Sequence, residues 1–293
     1  FVFWRIDQKW LAIPVVVLVA LYYLLLPRLL RRKLLAFHKK ALALLSTGRA
    51  AGVPELARKN LLLQLFAPSA PIDAKLGLAY SQLGEHARAL GPLESALPHA
   101  PPSERTALRA ALVKALFVTG DPARAEAEGR SLLDQGPRLP ETLVIVARAR
   151  LGLGKLDRRT RDMLDEAEEL SPKGDVRLMI ALTRVELALA RAEHASSASA
   201  QNPELPEGAD SDQRFVRAWI QLVRGALRAR RGDAEGATRS YARAVEEGRD
   251  EFCWFGGLAH ERLERMAAAS RGATDGGGAR DPARTRKKRK KRR

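Results

Sequence analysis

The fold is decided by residues 76–101, which read LGLAYSQLGEHARALGPLESALPHAP. Leu76-Gly77 is followed by Tyr80, Gly84, Ala89, Leu93, Ala96 and Pro101, placing small and large residues on either side of a glycine that interrupts an apolar run. Pro101 ends the second half, because proline has no N–H to donate and its ring blocks the preceding helical turn. Working outward, the turn glycine recurs at Gly120 and Gly154, at spacings of 36 and 34. After Gly120, Ala125, Leu132 and Pro137 fall at matching sites; after Gly154, Met163, Ala167 and Pro172 do so. A later copy centres on Gly232, with Gly225, Ala237, Tyr241 and Ala244 at its small, small, large and small positions. Residues 34–68 read as a degenerate first copy. No run alternates apolar and polar as an exposed-face strand does, so the expected class is all-α.

The order of these residues resembles the tetratricopeptide repeat (TPR) family, whose pattern is L-G-x-x-Y…A-x-x-x-F…A…P with a period of about 34. The resemblance covers about residues 34–270 and is sharpest in the copy at 70–103. It implies a TPR-like right-handed α-solenoid of antiparallel helix pairs, since one such pair cannot bury its apolar face alone and neighbours must stack on it. Gly77, Tyr80, Ala89, Ala96, Gly225, Ala237 and Tyr241 are the packing positions it implies. It also implies a concave groove lined by Leu78, Ser81, Gln82, Lys114, Phe117, Arg148, Leu151, Trp219, Leu222 and Arg230. Such a groove, apolar with sparse cations, suits an extended or helical peptide. The Lys/Asn carboxylate clamp of chaperone-binding TPRs has no match, because its asparagine position holds Leu78, Lys114, Arg148 or Ala226.

Between the third and the late copies the pattern breaks. Two long helices, about 175–194 and 212–231, are expected to pack antiparallel across a mobile loop at 196–212, a stretch rich in Ser, Pro and acid. Asp212 is expected to cap the second of them. A final helix, about 250–269, is expected to cover the end of the stack. Residues 271–293 read as a Gly-rich linker and a basic tail. Nine of the last ten residues are basic (Arg284, Arg286, Lys287, Lys288, Arg289, Lys290, Lys291, Arg292 and Arg293), and Arg28, Arg31, Arg32 and Lys33 form a second cluster. Without these thirteen the net charge of +17 falls to +4, so the body is nearly balanced. The tail is a candidate contact for anionic lipid, RNA or a ribosome.

Cys253 is the single cysteine, which excludes an internal disulfide and a cysteine-rich metal site. The five histidines are scattered. His260-Glu261 continues as Arg-Leu-Glu-Arg rather than completing a zinc motif. Gly152-Leu153-Gly154-Lys155 lacks the first glycine and the Ser/Thr of a phosphate loop. No cofactor, metal or small-molecule substrate is expected, and an enzyme is the least favoured class.

Residues 10–26, WLAIPVVVLVALYYLLL, carry no charge and have the length of one transmembrane helix. Six basic residues follow closely and only Arg5 and Lys9 precede. By the positive-inside rule the N-terminus is expected outside and the body in the cytoplasm, and a layout that resembles bacterial membrane-anchored TPR assembly factors, with Ala/Arg-rich usage, implies a bacterial inner membrane. The expected layout is a membrane anchor with a basic juxtamembrane segment over 1–33, a solenoid over 34–270 and a tail over 271–293. The expected function is a membrane-anchored scaffold that recruits protein partners, with a polyanion tether through the tail as the alternative.

Overall fold

In the computed structural model the described residues are 8–170, 172–195, 204–206, 208–249 and 253–276; the side chains of residues 8–15, 18, 20–22, 194, 195 and 272–276 also lie outside the description. The basic tail and most of the expected loop at 196–212 therefore fall outside it. Among the described residues the chain forms thirteen α-helices and no strand. They are α1 (Gln8–Ser46), α2 (Gly52–Lys59), α3 (Leu61–Phe66), α4 (Ser69–Gln82), α5 (His86–Ala96), α6 (Pro102–Thr119) and α7 (Pro122–Gln135). There follow α8 (Pro140–Gly152), α9 (Arg158–Glu169), α10 (Asp175–Ala195), α11 (Arg214–Arg230), α12 (Ala234–Gly248) and α13 (Trp254–Gly276).

Five helical hairpins share one turn. Gly48, Gly84, Gly120, Gly154 and Gly232 all have φ between 70° and 89°. This left-handed conformation carries no Cβ penalty only for glycine. In each case the next residue donates its N–H five residues back: Arg49 to Leu44, Glu85 to Tyr80, Asp121 to Leu116, Lys155 to Arg150 and Asp233 to Arg228, at 2.8 to 3.0 Å. That bond closes a helix by satisfying a carbonyl that has lost its intrahelical partner. Asp121, Asp157 and Asp233 then cap the helices that follow, accepting from the N–H three residues on.

Within two of the hairpins the pairing depends on a glycine. A Cβ at Gly77 would lie 2.6 Å from Leu93 Cγ, and one at Gly225 would lie 2.5 Å from Tyr241 Cε1. Ala89, Leu93, Ala96, Ala237 and Tyr241 are buried, while Tyr80 is half-buried with the Arg88 guanidinium over its ring at 4.8 Å. The first helices also contact one another in sequence: α1 with α4, α4 with α6, α6 with α8 and α8 with α10. The row continues through α11 to α13, and α13 returns to α6, so that α6, α8, α10, α11 and α13 close a ring.

Several expectations change. Among the described residues no helix is long and apolar enough to cross a membrane. The expected single-pass anchor over 10–26, and the N-out, body-cytoplasmic topology built on it, are corrected accordingly. Within α1 the apolar stretch ends at Arg28, with Arg31, Arg32 and Lys33 close behind. The boundary at 33/34 falls inside α1, which runs on as one helix to Ser46. The second helix of the first hairpin is broken at Asn60, whose side-chain N–H donates to Leu56 O at 2.7 Å, leaving the short α2 and α3. The described part of the loop is tied down: Ala209 is buried and its carbonyl accepts from Arg224 at 2.9 Å, while Arg217 donates to the carbonyls of Ser211 and Asp212. Helix α11 begins at Arg214, and Gln213 rather than Asp212 occupies the cap position.

Candidate binding groove

The implied groove residues lie on the first helices of successive hairpins, and the ring sorts them into three places. Ser81, Gln82 and Lys114 line a cavity of about 1310 Å³. Arg148, Leu151, Leu222 and Arg230 line a second cavity of about 670 Å³. Phe117 and Trp219 line neither, because both are fully buried beneath the start of α13. Leu78 is half-buried against the core.

The divider is a pair of aromatic side chains. Phe255 stacks flat on Trp219, with ring centroids 4.8 Å apart and planes 6° from parallel, and meets Phe117 edge-on at 5.5 Å. Trp254 meets Phe117 edge-on at 5.8 Å. It is seated between two helix ends: a Cβ at Gly152 would lie 2.6 Å from its Cη2, and one at Gly120 would lie 3.2 Å from its Cδ1. The Arg148 guanidinium lies 4.7 Å from the Trp254 ring centre, a cation–π contact. Its charge is balanced by Glu186, with Nη2 donating to Oε1 at 3.0 Å and Nε 2.5 Å from Oε2. The Nε approach is an ion pair by distance rather than an aligned hydrogen bond. Glu186 Oε2 also accepts from Trp219 Nε1 at 2.8 Å. A buried pair of charges persists only when its remaining hydrogen-bonding capacity is met, and here the indole and the aromatic faces help to meet it.

Around the larger cavity polar groups converge from four helices and from Gln213, the residue that caps α11. Lys114 Nζ on α6 lies 2.8 Å from Glu141 Oε1 on α8, donates to Gln213 Oε1 at 3.1 Å, and sits 5.4 Å above the Phe215 ring of α11. Gln213 in turn donates from Nε2 to Asp175 Oδ2 on α10 at 2.6 Å. His86, at the start of α5, is 2 % exposed and meets Phe215 edge-on at 5.8 Å. Burial first, and the Lys114 charge second, lower its pKa to about 4, so the ring is neutral at pH 7. Its Nδ1 is buried without a hydrogen-bond partner, an unusual state for an interior polar atom. The cavity thus offers hydrogen-bonding groups on an apolar floor that includes Phe215 and Ile145.

A second polar cluster lies behind the groove. Arg150, buried, reaches Glu126 at 2.7 Å and Asp157 at 2.5 Å, and Lys155 reaches Glu126 at 2.5 Å. Burial opposes ionisation of Glu126, but Lys155 and Arg150 outweigh it and hold its pKa below the ordinary carboxylate value. These groups join α7 to α8 and α9 and are fully occupied with one another.

Sequence reasoning did not single out His86, Gln213, Phe215, Glu141, Glu186, Trp254 or Phe255. The signal for the last two was present, since adjacent Trp and Phe stand out in a chain that is 5 % aromatic. His86 and Gln213 carry no local signal, because their partners come from other helices. Comparison of the chain with protein-family models, with curated proteins and with solved structures gives no match.

Proposed function

We propose that this chain is a TPR-like α-solenoid adaptor that binds a polypeptide segment along its concave face, in the larger of the two cavities. One observation carries the reading: His86 of α5, Lys114 of α6 and Gln213 at the cap of α11 bring polar groups into one cavity of about 1310 Å³ beside Phe215 and Ile145. An extended peptide suits this mixture, with main-chain amides for the polar groups and an apolar side chain for the floor. Two features support the repeat architecture, namely the shared glycine turn of the five hairpins and the residue pattern at 76–101. The role is binding rather than turnover, and no anchor enters it.

The test is selection of peptides from a random library displayed against the full chain, followed by affinity measurement on variants. Lys114→Ala and Gln213→Ala are expected to weaken the selected peptides by roughly tenfold or more each, the range for losing a charged or buried hydrogen bond. Thr238→Ala, on the outer face of α12, should leave them unchanged. If removal of Arg284–Arg293 abolishes binding while the cavity variants do not, the polyanion reading of the tail replaces this one.

A further inference from the structure

Residues 8–54 contain no Asp or Glu, yet hold Lys9, Arg28, Arg31, Arg32, Lys33, Lys39, Lys40 and Arg49. Among the described residues, no carboxylate pairs with Arg28, Arg31, Arg32, Lys33, Lys39 or Lys40. Against α1 lies α3, which is entered through Arg58 and through Lys59, itself 3.8 Å from Glu55. Only Leu63 of its apolar residues turns inward, 1 % exposed, packing in one cluster with Leu30, Leu34 and Phe37 of α1. The other four point out: Leu61 is 64 % exposed, Leu62 42 %, Leu65 65 % and Phe66 47 %. Leu29 and Leu35 of α1 are likewise exposed. Isolated exposed apolar residues need no explanation, but three leucines and a phenylalanine on two turns beside unpaired cations form a patch.

We propose that the α1–α3 face docks on an anionic lipid surface, with Leu61, Leu62, Leu65 and Phe66 entering the headgroup region and the α1 cations meeting lipid phosphates. A lipid surface supplies both requirements at once, acyl chains for the leucines and phosphates for the cations. A second copy of the chain does not, because it would bring the same positive face against this one. The proposal is contact with a surface and not a crossing of it, and it is independent of what the concave cavity binds.

The test uses the full chain with Cys253→Ala and Leu65→Cys, the new thiol carrying an environment-sensitive nitrobenzoxadiazole dye. With phosphatidylcholine vesicles containing phosphatidylglycerol, the dye is expected to shift to the blue and to be quenched by spin-labelled lipid. The same dye at Thr238→Cys should do neither. Replacing Arg31, Arg32 and Lys33 with Gln should lower vesicle partitioning about a hundredfold, since each near-surface cation contributes roughly a factor of five. Leu61→Ser combined with Leu65→Ser should reduce partitioning, measured by sedimentation, about tenfold per residue. Two results would overturn the proposal: no quenching at position 65, or quenching equally strong with phosphatidylcholine alone. A blue shift without vesicles that grows with protein concentration would instead assign the face to self-association and defeat the lipid reading.

Discussion

Acidification from pH 7 to pH 5 is expected to cost this fold about 2 kcal/mol through one residue, His86. The folded pKa is about 4 and the unfolded value 6.5. Between these values only the unfolded chain binds the proton, so its contribution is intact above 6.5 and is lost as pH falls toward 4. Applying single-site linkage to those two values gives about 2 kcal/mol between pH 7 and 5. For a chain of this size that is a fall in Tm of about 4–8 °C. Carboxylates do not confuse the window. Glu126 and Glu166, the latter held low by Arg138, titrate below the ordinary carboxylate value and so lose their contribution at lower pH. The assay is far-UV circular dichroism melting at pH 7 and pH 5, for the parent chain and for His86→Leu. Leucine removes both the proton site and the unpartnered Nδ1, so it should melt at pH 7 no lower than the parent and lose most of the pH effect. Should the parent melt at one temperature at both pH values, or His86→Leu keep the full drop, His86 is not the buried neutral base described above.

Three further expectations follow from the packing. Phe255→Ala removes a fully buried ring from between Trp219 and Phe117. It should cost about 3–5 kcal/mol, read as a Tm lowered by about 6–20 °C with helical content retained. Gly225→Val forces a side chain onto Tyr241, 2.5 Å from the new Cβ, and should cost about 1–3 kcal/mol by urea unfolding; an unchanged midpoint would mean that α11 and α12 lie further apart. Gly257→Ala places its Cβ in open space within α13 and should raise stability by about 0.5–1 kcal/mol, so a loss would argue against a helix there.

The hairpins were legible because their determinants are local. A glycine that must adopt positive φ, and a small residue facing a large one across the turn, sit within one stretch such as 76–101. Helix α13 was legible as a helix over the end of the stack, but its reach back to α6 was not. It covers the last hairpin, packing on α12 and α11, but Trp254 also reaches between Gly120 and Gly152, residues that in sequence look only like a turn and a helix end. The same long-range seal explains why Phe117 and Trp219, read as groove positions, are interior. The loop residues near Ala209 were misjudged because composition reports the lack of a core and not the hydrogen bonds that Arg224 and Arg217 supply from a neighbouring helix. The break at Asn60 that creates α3 was missed, since residues 34–68 read only as a degenerate first copy. The expected anchor was read from local hydropathy alone.

The return of α13 to α6 sets an order of events during synthesis. Each hairpin can form as it leaves the ribosome, because its partners are near in the chain, and contacts of that kind form early. The aromatic surface of Phe117 must wait until Phe255 has been made, and a ribosome adds only about 5–20 residues per second. For those seconds a nascent chain displays an open, sticky inner wall. Termination before Trp254 would leave it so permanently, because the rings that cover Phe117 are those of Trp254 and Phe255.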